Sequence, residues 1–192
     1  LLSRNAEWAA TKDPTFLVDS SDRDQRPRVM WIGCSDSRVP ESVVTRSRPG
    51  DIFVHRNVAK LFNPDEDSVM TAVTFAIEDI GLNNVGVEHI VVVGHTNCGA
   101  ASYASDAAEN PSAVDRRRPM YRWLQPLIRL AGTVTGKRTQ NLIIANIQEQ
   151  VDKLAQSEPV IRAWDNPNRP ALQIHGWLYE LSTGLLRDLE IT

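Results

Sequence analysis

The chain has 192 residues, 42% hydrophobic and 23% charged, enough for one domain with a substantial core. Its 21 basic and 24 acidic side chains net to −3 without long blocks, so neither nucleic acid nor an anionic membrane surface is expected as a partner. No apolar run approaches the roughly 20 residues that span a bilayer, and two cysteines are too few for a secreted disulfide scaffold of this size. Free thiols fit a reducing, intracellular compartment, most simply the cytoplasm. The opening Leu1, rather than Met, leaves a trimmed targeting segment, and with it a mitochondrial or other organellar home, open.

Taken in chain order, the first element is an amphipathic helix around Leu1, Leu2, Trp8 and Ala9. It is isolated, so residues 1–20 are expected to form an arm that packs on a partner subunit or across the domain. The apolar run Arg28–Ile32 predicts a strand, followed by a loop carrying Cys34 and a short helix from Pro40, where proline suits a first turn. Asp51–Arg56, after the turn Arg48-Pro49-Gly50, predicts a second strand. Ser68–Ile80 places Val69, Val73, Ala76, Ile77 and Ile80 on one helical face and closes at Gly81. Glu88–Gly94 is the most β-branched strand, and small residues after Cys98 begin another helix. Asn110–Pro119 is a linker, and the basic run Arg116–Arg118 within it reads as solvated loop.

Two further helices are expected over Tyr121–Leu130 and Asn141–Gln156, the second presenting Ile143, Ile144, Ile147, Val151 and Leu154. Ala171–Leu181 and Leu185–Ile191 read as strands joined at Ser182-Thr183-Gly184. Alternating strands and helices predict a single α/β domain over 1–192, built on a mainly parallel sheet.

Ligands of open α/β sheets bind outside the carboxyl ends of the strands. Cys34 stands there in Cys34-Ser35-Asp36-Ser37-Arg38, and so does His95-Thr96-Asn97-Cys98, 61 positions further on. Two thiolates and an imidazole make three of the four ligands of a tetrahedral zinc, the number that leaves one position for chemistry. A helix starting after Cys98 would stabilise its thiolate. His-x-x-Cys alone is a weak pattern, and a buried free cysteine is a common core residue. Cys34 at an equivalent strand end, with Asp36 and Arg38 beside it, strengthens the reading. A carboxylate held by a guanidinium stays ionised and fixed; it is placed either to accept a proton from a metal-bound water or to bind the metal itself.

Together these motifs resemble the β-class carbonic anhydrase family. Pro49-Gly50-Asp51, Phe53-Val54-His55-Arg56-Asn57 and His175-Gly176-Trp177-Leu178-Tyr179 match family segments in order, so the resemblance runs from Arg28 to Asp188. It implies a four-stranded parallel sheet with a further strand, an obligate dimer or dimer of dimers, and zinc on Cys34, His95 and Cys98. It also implies Asp36 and Arg38 as catalytic dyad and reversible hydration of carbon dioxide to bicarbonate by a zinc-bound hydroxide. One subclass of the family is switched by pH and bicarbonate, with the aspartate swinging onto the zinc. Its bicarbonate site corresponds to Trp31, Arg56 and Tyr179, all present here.

Three positions depart from the family pattern. Arg48 replaces a glutamine before Pro-Gly, Lys60 replaces the usual asparagine, and Gly99-Ala100 replaces Gly-Gly; the last two bear on substrate access. His55, His89 and His175 are expected to be structural. Hydrolysis of carbonyl sulfide or carbon disulfide by the same site is the competing activity. A non-catalytic zinc module is disfavoured by the retained dyad, and a thiol redox role by the absence of Cys-x-x-Cys.

Overall fold

A computed structural model describes residues 1–13, 16–17, 24–80, 86–136 and 138–191. Its centre is a five-stranded sheet. The strands are β1 (Val29–Cys34), β2 (Ile52–Asn57), β3 (His89–His95), β4 (Gln173–Glu180) and β5 (Leu185–Asp188), in the order β2-β1-β3-β4-β5. The first four are parallel, and β5 turns back antiparallel on β4. β3 is a near-continuous run of buried β-branched residues because both faces of a parallel sheet are covered.

α1 (Leu2–Ala10) precedes the first strand, and between the strands lie α2 (Glu41–Val44), α3 (Asp67–Glu78), α4 (Gly99–Glu109), α5 (Pro119–Trp123), α6 (Gln125–Ala131), α7 (Arg138–Ala155) and α8 (Glu158–Asp165). The larger core joins Met30, Ile32, Ile90 and Val92 of the sheet to α3, α4, α6, α7 and α8. The opposite face carries a smaller cluster of Trp31, Val39, Val91, Val93 and Tyr179. No helix among the described residues is long and apolar enough to cross a membrane.

The parallel four-strand sheet with one added strand agrees with the expected architecture, and four details differ. The strands bearing Cys34 and His95 run to those residues, so both are anchored in the sheet rather than in loops. Tyr121–Leu130 is two helices: Leu124 breaks the first, and Pro126 starts the second inside its first turn. α8 was not anticipated, although Ser157-Glu158-Pro159 is a helix-start pattern.

In α7 four of the five expected stripe residues, Ile143, Ile147, Val151 and Leu154, are buried, and the fifth is not. Leu142 is buried and Ile144 is 39% exposed. Asn146 and Gln150 occupy the inward face because they bond backbone: Asn146 Nδ2 donates to Ala59 O at 3.1 Å, and Phe62 N donates to Gln150 Oε1 at 2.8 Å. The turn expected at Gly81 and part of the arm over 1–20 lie outside the described residues; α1 itself buries no residue.

Two glycines let α7 lie close on the sheet. A Cβ at Gly94 would stand 2.7 Å from Ile147 Cδ1, and one at Gly176 would stand 2.9 Å from Ile147 Cγ2. Ile147 therefore packs against the backbone of the residue preceding His95.

Candidate metal centre

β1 and β3 are adjacent and parallel, with Gly33 opposite Val93, so Cys34 and His95 end side by side. Between His95 and Cys98 the chain reverses at Asn97, whose φ of 53° is a left-handed conformation that asparagine tolerates. Cys98 is the N-cap of α4. The ligand atoms of Cys34, His95 and Cys98 all lie within 4.8 Å of one another, and all three residues are buried.

The imidazole is set for coordination. His95 Nδ1 lies 2.9 Å from the carbonyl of Thr96, which can only accept, so Nδ1 carries the proton. Nε2 is then the lone-pair nitrogen, and it is buried without a hydrogen-bond partner among the described residues. A metal ligand of this kind ordinarily has its other ring nitrogen fixed in just this way. Backbone N–H groups of Asp36 and Ala59 act to lower the pKa of Cys34, and that of Ala101 acts likewise on Cys98. The Cys98 thiol, with help from His95, holds Cys34 below the usual thiol range, while the neighbouring Cys34 sulfur and burial push Cys98 up. Two thiols so close share one proton; a divalent cation between them would release it. The donor set of two sulfurs and one imidazole nitrogen suits zinc.

Asp36 stands over this group. Arg38 donates to it three times, from its backbone N to Oδ1 at 3.0 Å, from Nε to Oδ1 at 2.9 Å and from Nη2 to Oδ2 at 2.7 Å. The guanidinium holds the carboxyl well below the usual carboxylate range. Oδ2 is 3.7 Å from His95 Nε2, which puts the carboxylate at the rim of the candidate centre and bound to Arg38. Arg38 is itself fixed by the carbonyl of Asn97 at 3.2 Å.

The carbonic anhydrase family profile matches residues 29–186. A carbonic anhydrase of Emericella nidulans is 32% identical over 200 residues, covering 100% of this chain and 82% of that one. The chain belongs to the β-class carbonic anhydrase family. Among solved structures, one of two tetrameric β-carbonic anhydrases from Sordaria macrospora superposes with a TM-score of 0.83 at 27% identity, covering 98% of this chain and 94% of that one. The β-carbonic anhydrase CafA of Aspergillus fumigatus gives 0.83 at 30% identity, covering 100% and 89%. Members of the family are carbonate dehydratases, and this chain is an enzyme of that kind.

The other expected positions of this β-carbonic anhydrase fall around the same sheet end. Trp31 and Tyr179 share the smaller apolar cluster. The Trp31 indole covers Gly33, where a Cβ would come within 2.1 Å of Nε1, and Gly33 pairs with Arg56 across β1 and β2. Trp31 Nε1 is buried and has no acceptor among the described residues. Arg56 donates from Nε to Cys34 O at 2.9 Å and from Nη2 to Asp36 O at 2.6 Å, and Nη1 is 3.7 Å from Glu41. It therefore clamps the segment that carries Cys34 and Asp36, a task the sequence did not reveal.

Of the two departures bearing on access, Ala100 is buried but does not line the cavity at the metal centre. Lys60 does, together with Cys34, His95, Cys98, Ala59, Gly94 and Asn146. His55, His89 and His175 make local contacts: His55 Nε2 lies 3.2 Å from Asn57 Nδ2, and His89 Nδ1 lies 3.1 Å from His175 Nε2 at the amino ends of the strands.

Proposed function

We propose that this chain catalyses the reversible hydration of carbon dioxide to bicarbonate and a proton, with zinc on Cys34, His95 and Cys98 and with Asp36 and Arg38 as catalytic dyad. The observation that carries the reading is the convergence of two sulfurs with an unpartnered, lone-pair Nε2 of His95 at the ends of two adjacent strands. A bound zinc would supply a Lewis acid that makes water nucleophilic near neutral pH.

The chain's own groups do the rest. Asp36, ionised and immobilised by three donors from Arg38, accepts a hydrogen bond from the reacting water and aims its lone pair at the carbon of carbon dioxide. Arg38 keeps Asp36 off the centre, and Arg56 holds the intervening backbone in place.

Regulation by bicarbonate belongs to the same proposal. The unpartnered indole N–H of Trp31, the hydroxyl of Tyr179 and the guanidinium of Arg56 would gather the anion. An anion drawing on Arg56 loosens its hold on the carbonyls of Cys34 and Asp36, and so favours a state in which Asp36 leaves Arg38 for the metal.

The proposal extends to assembly and location. Residues 1–20 act as an arm across a partner in a homodimer or dimer of dimers, the Sordaria macrospora relative being tetrameric. Leu1, Leu2 and Trp8, exposed in the single chain, give that arm its apolar contacts. The thiolate ligands call for a reducing compartment, in the cytoplasm or an organelle.

The test is a stopped-flow assay of carbon dioxide hydration alongside carbonyl sulfide hydrolysis, on zinc-loaded protein. Proton release from carbon dioxide at a rate proportional to bound zinc is the expected result. Turnover of carbonyl sulfide with none of carbon dioxide would replace the assignment.

A further inference from the structure

Lys60 is a buried cation to which no acidic side chain is bound among the described residues. It is 3% exposed, too deep for its head to reach water along its stem. Among the described residues no carboxylate forms an ion pair with it. Glu149, the one carboxylate whose charge it feels, is already bonded by Lys153. The other charges acting on it are those of Cys98 and Cys34.

The chain holds Lys60 there deliberately. Ala59 and Lys60 both have left-handed φ, 69° and 51°, a strained pair that survives only if its surroundings over-determine it. Asn57 brackets the turn by bonding both N and O of Leu61, at 2.7 and 2.8 Å. Asn146 binds Ala59 O, and Trp123 Nε1 binds Val58 O at 2.7 Å. Gly94 leaves the room for the stem: a Cβ there would stand 3.0 Å from Lys60 Cε.

We infer that Lys60 is the resident counter-cation of the Cys34–His95–Cys98 centre, a positioning residue whose field biases the loaded centre toward small monoanions. The inference rests on the metal-site reading above. Two thiolates neutralise a divalent metal, so the loaded centre has no net charge; taking up one monoanion, the charge class of bicarbonate, makes it −1. A buried ammonium on the inner wall of the same cavity stabilises the second state over the first, because protein screens the attraction far less than water does. The cavity offers about 10 Å³, room for about one water, so the ammonium acts through its field and not by seating the anion itself. Burial is the main influence on the ammonium and lowers its pKa, while the charges of Cys98 and Cys34 act in the opposite direction.

The test uses full-length protein loaded with cobalt(II) in place of zinc and titrated with thiocyanate, followed by visible absorption of the cobalt. Lys60→Met keeps the length of the stem without charge, and Lys60→Gln keeps a polar tip. Both are expected to hold one cobalt per chain and to bind thiocyanate roughly tenfold more weakly than the parent. Thiocyanate affinity within twofold of the parent in both variants would overturn the inference. So would loss of cobalt from both, since Lys60 would then be shaping the site and not biasing its charge. A parent protein that takes up no cobalt would instead sink the metal-site reading, a distinct failure.

Discussion

Gly94→Ala probes how the sheet positions His95. The new Cβ would lie 2.7 Å from Ile147 Cδ1, 2.8 Å from Ile147 Cγ1 and 3.0 Å from Lys60 Cε. Opening 2.7 Å to an ordinary contact of about 3.5 Å asks for about 0.8 Å of movement. Ile147 is wholly buried and sits also against Gly176, so it has little room to give way. Overpacking of this kind costs about 1–3 kcal/mol. Replacing a strand glycine recovers roughly 0.5–1 kcal/mol, so the net loss is about 0–2.5 kcal/mol, or up to about 10 °C in Tm at this length.

Ile147→Ala removes both Cδ1 and Cγ1, the two nearest atoms, at a cost of its own of about 2–5 kcal/mol. Thermal unfolding of the two single variants and the double variant then gives a coupling energy. If the clash is the cause, the double variant loses less than the sum by at least about 0.5 kcal/mol. Additive losses would refute this account of the packing.

Cys98→Ala should leave the chain without stoichiometric zinc and without activity, because three ligands leave none to spare; metal analysis showing full occupancy would contradict the assignment. Asp36→Asn should retain zinc while lowering turnover roughly 100-fold or more, the usual worth of a positioned proton acceptor; stopped-flow rates within threefold of the parent would count against the dyad. Tyr179→Phe should blunt inhibition by bicarbonate at constant zinc content, and an unchanged inhibition curve would remove Tyr179 from the anion site. In metal-free protein, burial lowers the Lys60 pKa to about 8 in the fold against 10.5 for the free side chain. The unfolded chain therefore binds more protons between those values, and the parent should gain stability relative to Lys60→Met as pH rises from 8 toward 10.5. Urea midpoints that stay parallel across that window would show that Lys60 keeps its proton.

The candidate metal centre was legible because its parts sit where short apolar runs end. Val29–Ile32 and Ile90–Val93 announce buried strands, and residues that follow such strands share one sheet edge. The turn after His95 and the helix after Cys98 follow from Asn97 and a run of small residues. The break at Leu124 was hidden because the segment stays helical on both sides, and only Pro126 marks it. On α7 the apolar stripe was legible except at Ile144, whereas the buried polar residues Asn146 and Gln150 were not, because their inward place depends on backbone of the 58–62 turn that needs partners. Arg56 and Lys60 show the same limit. The resemblance singled out Arg56 for an anion site and Lys60 for substrate access, but only the tertiary fold turns one into a clamp on the Cys34–Asp36 backbone and the other into a cation beside two thiols.

Zinc-edge X-ray absorption on the purified protein tests the central claim most directly. Two sulfur scatterers at about 2.3 Å and one imidazole nitrogen at about 2.0–2.1 Å per zinc, with one zinc per chain, are the expected result. A shell of nitrogen and oxygen alone would contradict it.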